Sequence, residues 1–162
     1  MNVTVDIQNA SAEPVPDEDD IRSWISDAVQ LALPDTPGNH AISVRLVDDA
    51  EMTDLNGRYR DKPQPTNVLS FPSELPKDLD LPLLGDIVIC APVVNREAEQ
   101  QDKSQAAHWA HMAVHGTLHL LGYDHVENED AKRMESLETR ILADMGLPCP
   151  YEQLSMNEQP NR

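Results

Sequence analysis

The chain is 162 residues long, with two cysteines (Cys90 and Cys149), six aromatic residues and 12 basic residues. No stretch reaches the roughly 18 consecutive apolar residues that a membrane-spanning helix needs. Each shortage excludes something. Two cysteines are too few for a disulfide scaffold. Cys90, in an apolar run, and Cys149, in a Pro-flanked turn, read as structural residues and not as ligands. The N-terminus, MNVTVDIQNA, carries neither the basic segment nor the apolar core of a secretory signal, so a cytoplasmic protein with no membrane partner is expected. Twelve basic against 29 acidic residues give a formal net charge of −17, the reverse of the basic surface that nucleic-acid binding usually presents. Six aromatic residues, several of them in apolar patterns, leave little for a base-stacking platform.

What is there is ordinary globular composition, 40% hydrophobic and 25% charged, at a length that suits one domain. We expect that domain to span residues 1–155, with a disordered tail at 156–162. The acidic excess is uneven. Residues 1–20 carry six acidic groups and no basic one, whereas in residues 57–72 Arg58, Arg60 and Lys62 face only Asp61. A local positive site inside a negative envelope is therefore expected.

Val3, Val5 and Ile7 alternate with polar residues as in a half-buried strand, and an acid- and Pro-rich loop follows over residues 10–20. Ile21, Trp24, Ile25, Ala28, Val29 and Ala32 recur at helical spacing, with Asp17 or Asp19 as N-cap and Pro34 as stop. Ile42, Val44 and Leu46 predict a second strand, and Asp49 is placed to cap a helix through Met52, Leu55 and Tyr59 that Gly57 weakens near its end. Val68, Leu69 and Phe71 predict a short strand ended by Pro72. GDIVIC, residues 85–90, is apolar at four consecutive positions and predicts a strand central in a sheet. Pro92 opens a helix, another runs from near Ser104 to Gly122, and Ala131, Met134, Leu137, Ile141 and Met145 mark a last amphipathic one. The mixture predicts an α+β fold, a small mixed sheet packed with helices.

Five of the six histidines fall between positions 108 and 125. On a helix His115 and His119 lie one turn apart on one face, so both imidazoles can reach one ion at about 2.0–2.1 Å. Gly122 ends the helix, and His125 can fold back as a third ligand. Three neutral imidazoles leave an open coordination position, where catalytic zinc holds a water of pKa about 7; structural zinc is normally closed by four ligands. The spacing places the metal site at the C-terminal end of a central helix. It matches the metzincin pattern H-E-x-x-H-x-x-G-x-x-H at every ligand and at the glycine, but Gly116 stands where a peptidase needs its glutamate. A metallopeptidase relative is thereby disfavoured. His40 and His108 read as partly buried, hydrogen-bonded residues. His111 is either a partner behind the ligands or a competing ligand, and Asp124 either accepts from a ligand N–H or caps a turn.

HGTLHLLGYDH, residues 115–125, resembles the signature of the YbeY family of bacterial metal-dependent endoribonucleases and rRNA maturation factors. LNGRYRDKPQPTNVLSFP, residues 55–72, resembles that family's arginine-containing motif, and GDIVIC its strand before the histidine-bearing helix. The resemblance implies one zinc ion held by His115, His119 and His125, with Ni²⁺ or another divalent metal also suited to imidazole ligands. It implies a catalytic or phosphate-binding role for Arg60. It further implies cleavage of single-stranded RNA in maturation of the small-subunit rRNA 3′ end and in ribosome quality control. The small ribosomal subunit or its proteins are then the expected partners, and DNA is not. A guanidinium suits that role because it offers phosphate a planar fork of donors at any relevant pH. Zinc on three imidazoles would polarise the phosphate and activate a water or the ribose 2′-OH. The alternative outside catalysis is a ribosome-assembly factor in which zinc is structural.

Overall fold

Residues 2–33, 38–73, 83–123 and 128–147 are described by a computed structural model. Within these bounds the alternating apolar residues of β1 (Asn2–Asn9) and β2 (Asn39–Val47) pair in parallel, and β2 pairs in parallel with β4 (Leu83–Cys90). The short β3 (Val68–Pro72) closes the edge antiparallel to β4, giving the order β1-β2-β4-β3. GDIVIC is thus an interior strand with both faces covered. Ile87 and Ile89 join Ile42, Val44 and Leu46 under the helices on one face, and Val88 and Cys90 join Val47, Met52 and Leu69 on the other.

Among the described residues five helices complete the α+β fold: α1 (Glu18–Ala32), α2 (Asp49–Arg60), α3 (Ala91–Gln100), α4 (Gln105–Leu120) and α5 (Asn128–Asp144). Asp17 caps α1, its side chain accepting from Asp19 N, and Ser104 caps α4 by accepting from Ala107 N. The cap of α2 differs from expectation. Asp49 lies inside the helix and Asp48 is the N-cap, but its carboxylate is spent on Ser11 Oγ and Ala12 N, tying the acidic loop to the sheet edge. Gly57 does not shorten the helix, which runs to Arg60 and keeps Gly57 in contact range of Pro63.

α4 is the central helix. Trp109, Met112, Ala113 and Leu120 pack towards the sheet and α1, whereas Ala110, Val114 and Leu118 pack with Ala28 of α1 and Met134, Ile141 and Leu142 of α5. Two packed faces leave one edge, and His111, His115 and His119, spaced four apart, form its half-buried stripe. Gly116 permits the close approach: a Cβ there would lie 2.9 Å from Val68 Cγ2 and 3.1 Å from Ile87 Cγ2. Cys90 is buried and free, and burial foremost pushes its thiol up to about 12, so it is the inert core residue expected. Pro34, Cys149 and the tail at 156–162 lie outside the described residues. No helix among the described residues is long and apolar enough to cross a membrane.

Candidate metal centre and its cleft

The C-terminal end of α4 is shaped by a glycine turn. Gly122 has φ +101°, its N–H bonds to His119 O at 3.0 Å, and Tyr123 N–H reaches back to Leu118 O at 3.0 Å. These are the two bonds of a Schellman ending. The turn redirects the chain immediately after His119, next to the helix terminus whose carbonyl dipoles favour a cation. His125 and Asp124 lie outside the described residues. Of the expected ligands, His115 and His119 are brought together, their rings 4.6 Å apart.

The sequence reading missed Glu138. It projects from α5 and is fully buried, with Oε2 2.7 Å from His111 Nε2 and Oε1 3.1 Å from His115 Nδ1. Burial pushes its carboxyl up, but the hydrogen bonds from the two histidines outweigh this and hold it down at about 2. An ionised carboxylate only accepts, so both facing ring nitrogens carry the proton. The Glu138 carboxylate thereby orients His115 through Nδ1, the arrangement in which Nε2 is the nitrogen a metal would take. Burial foremost holds the His111 imidazole below the usual histidine range, so this ring is neutral at physiological pH. A signal for Glu138 did exist: it falls in the inward stripe of α5, between Met134 and Ile141, where a carboxylate is costly unless partnered.

His111, His115 and Glu138 also form a set whose ligand atoms all lie within 4.8 Å of one another, which suits a divalent metal. Of the three, only His115 lines the neighbouring cleft. That cleft, of about 890 Å³, is walled by Arg60 at the end of α2, residues 66–71, and His115, His119, Gly122 and Tyr123. Within the local positive site of residues 57–72, Arg58 pairs with Asp54 at 3.2 Å, and Arg60 is the basic residue that lines the cleft. Arg60 makes no ion pair among the described residues. Its position is held from behind: the Asn56 carbonyl accepts from Asp61 N and Lys62 N, and the buried Asn56 side chain donates to Gln64 O at 2.8 Å. The expected scarcity of aromatic surface is corrected here, since Tyr59, Phe71 and Tyr123 all line the cleft.

Thr66, Asn67 and Ser70 all line the wall, and Asn67 and Ser70 also hold its geometry. Ser70 Oγ donates to Gly116 O at 2.7 Å, fastening β3 to α4. Asn67 Oδ1 accepts from Val68 N at 2.7 Å, and its amide donates to both oxygens of Glu97 at 3.3 Å. Glu97 in turn accepts from His108 Nε2 at 3.0 Å, so His108 is the buried, bonded residue expected. His40 is half-buried, but its Nε2 has no hydrogen-bond partner among the described residues. Burial pushes the Glu97 carboxyl up, and the bonds from His108 and Asn67 overcome it, holding the group below the usual carboxylate range. A depressed carboxylate contributes stability above its unfolded range that disappears as pH falls through its folded value. Glu97→Gln is therefore expected to lower the urea midpoint at about pH 7, with the gap to the parent protein narrowing at about pH 3. An equal gap at both pH values would refute this role.

A model of the endoribonuclease YbeY family matches residues 6–146. Relatives named endoribonuclease YbeY include one from Cellvibrio japonicus (strain Ueda107), 48% identical over 155 residues, covering 95% of this chain and 86% of the relative. Another, from Pseudomonas putida (strain W619), is 51% identical over 148 residues, covering 91% and 92%. The solution structure of TM1509 from Thermotoga maritima shares the fold, with a TM-score of 0.56 at 21% identity, over 88% of this chain and 91% of that one. A cleft lined by both the histidine helix and the arginine-bearing segment agrees with these matches, and the chain belongs to the YbeY family.

Proposed function

We propose that this chain is a cytoplasmic, metal-dependent endoribonuclease that cuts single-stranded RNA during maturation of the small-subunit rRNA 3′ end and in ribosome quality control. The observation that carries the reading is that Arg60 and the half-buried His115 and His119 line one open cleft. The metal is assigned to His115, His119 and His125, with zinc favoured by availability and Ni²⁺ or another divalent ion compatible with imidazole donors. The donor chemistry fits, because the Glu138 carboxylate engages His115 Nδ1 from behind and orients the ring for ligation through Nε2. Glu138 and His111 are better suited to stand behind the ligands, since neither lines the cleft in which a substrate would sit. When bound, a divalent ion supplies Lewis-acid stabilisation of charge building on a phosphate.

The remaining work falls to the chain itself. Arg60, permanently charged and without an ion pair among the described residues, offers two parallel N–H donors to non-bridging phosphate oxygens. Asn56 pins the segment that follows Arg60, and Ser70 fastens β3 to α4, so the cleft's lining is held in place. Gly116 leaves no room for a peptidase's glutamate, which supports phosphodiester over peptide chemistry. With a net charge of −17 the surface repels phosphate on approach, so free RNA is expected to bind weakly and with steep salt dependence. The small ribosomal subunit or its proteins would then deliver the strand.

The test is cleavage of a single-stranded RNA that contains the small-subunit 3′ precursor junction. The parent protein should cut, while identically purified His119→Ala and Arg60→Ala should each lose about tenfold or more, equal to about 1.4 kcal/mol of transition-state stabilisation. Equal cutting by all three would assign the activity to a contaminating nuclease. No cutting by any would favour a non-catalytic assembly factor.

A further inference from the structure

Tyr59 is 64% exposed, the more exposed of the two large exposed hydrophobic side chains among the described residues, the other being Leu83 at 38%. An aromatic ring left open this far gains little from folding, so its position asks for another use. The ring is not adrift. It packs edge-on against Phe71 of β3, with centroids 5.1 Å apart and planes at 65°, and Phe71 is itself packed against the Val47, Met52 and Leu69 cluster. Tyr59 sits in the last turn of α2, next to Arg60, and both line the cleft together with His115 and His119. The helix end beneath them is pinned by the left-handed Asp61, at φ +57°, and by the Asn56 bond to Gln64 O.

A strand held at Arg60 by a phosphate would therefore carry its adjacent base within the same cleft as an open, buttressed ring. Electrostatics make that ring matter. The chain is strongly acidic and Arg60 is the one arginine or lysine among the described residues lining the cleft, so few phosphates can be neutralised there. Stacking needs no positive charge and accepts any base, because every base has a π face. Resting on the RNA substrate assigned under Proposed function, we infer that Tyr59, braced by Phe71, is the stacking platform for the nucleobase next to the phosphate held by Arg60. It sets where along the strand the scissile phosphate comes to rest.

The experiment measures equilibrium binding of a fluorescent, uncleavable 2′-O-methyl RNA octamer to the full chain as purified, and to Tyr59→Ala and Tyr59→Phe. Tyr59→Ala should weaken binding about tenfold without changing the salt slope, since no phosphate contact is lost, and Tyr59→Phe should bind like the parent. A single abasic position is then walked along the octamer. One position should cost the parent protein about tenfold and cost Tyr59→Ala nothing further, because the stacked pair is already broken. Unchanged binding by Tyr59→Ala, or abasic losses equal in both proteins at every position, would overturn the inference even if the parent cuts RNA. If the expected pattern appears but the parent cuts no RNA, stacking stands and the catalytic reading falls. Absence of RNA binding at low salt overturns both.

Discussion

Glu138→Gln is expected to lower zinc affinity roughly 10- to 100-fold, the usual cost of losing the carboxylate behind a ligating histidine. The reason lies in the count of acceptors. The Glu138 carboxylate presents one oxygen to His111 Nε2 and the other to His115 Nδ1, at 2.7 and 3.1 Å. Glutamine keeps one acceptor and replaces the other by an NH₂ group, so one of the two histidines loses the partner of its N–H. If that histidine is His115, its proton can move to Nε2 and block the nitrogen proposed to ligate the metal. If it is His111, a largely buried donor is left unsatisfied, at about 1–3 kcal/mol. Zinc competition against a chromophoric chelator reads the first effect, and thermal melting of the metal-free proteins reads the second. A variant with parental zinc affinity and parental melting temperature would remove Glu138 from the site.

The second large effect is expected at Gly116. Placing glutamate there, as a comparison with metallopeptidases suggests, should abolish folding and not create a peptidase. A Cβ alone would stand 2.9 Å from Val68 Cγ2 and 3.1 Å from Ile87 Cγ2, and both neighbours are β-branched residues of strands that cannot swing aside. Gly116→Ala isolates the steric effect. Alanine gains up to about 1 kcal/mol in helix propensity, whereas forcing an extra methyl into a packed interface costs about 1–3 kcal/mol. Clash is expected to win, lowering the melting temperature by a few degrees, at about 2–4 °C per kcal/mol for a chain of this size. Moving α4 outward would also stretch the Ser70–Gly116 hydrogen bond that sets the cleft width. Gly116→Ala should therefore also impair RNA cleavage. An alanine variant more stable than the parent would show that helix propensity dominates and that the contact is soft.

Both effects mark the boundary between local and long-range information. The periodicities were legible because they are properties of a short stretch: alternation predicted β1 and β2, the apolar run predicted an interior β4, and spacing by fours put His115 and His119 on one face of α4. The turn at Gly122 was legible too, because a left-handed position after an apolar helix favours glycine. The α2 cap was misplaced by one residue, since Asp48 and Asp49 are chemically equal candidates and the contact that distinguishes them comes from Ser11, far away in sequence.

The aromatic residues were undercounted as surface for a similar reason. Whether Tyr59 faces a core or a cleft depends on where Phe71 lies, and β3 decides that. By itself the sequence determined the family, the fold class and the identity of the histidine-bearing helix, because helical and strand periods and a dense motif are written in neighbouring residues. Only the tertiary structure decided that Glu138 grips two histidines, that Arg60 lines one cleft with His115 and His119, and that Gly116 is a packing glycine. These facts depend on which surfaces of separate helices and strands are buried against one another, and burial is a property of the assembled core, not of any one segment.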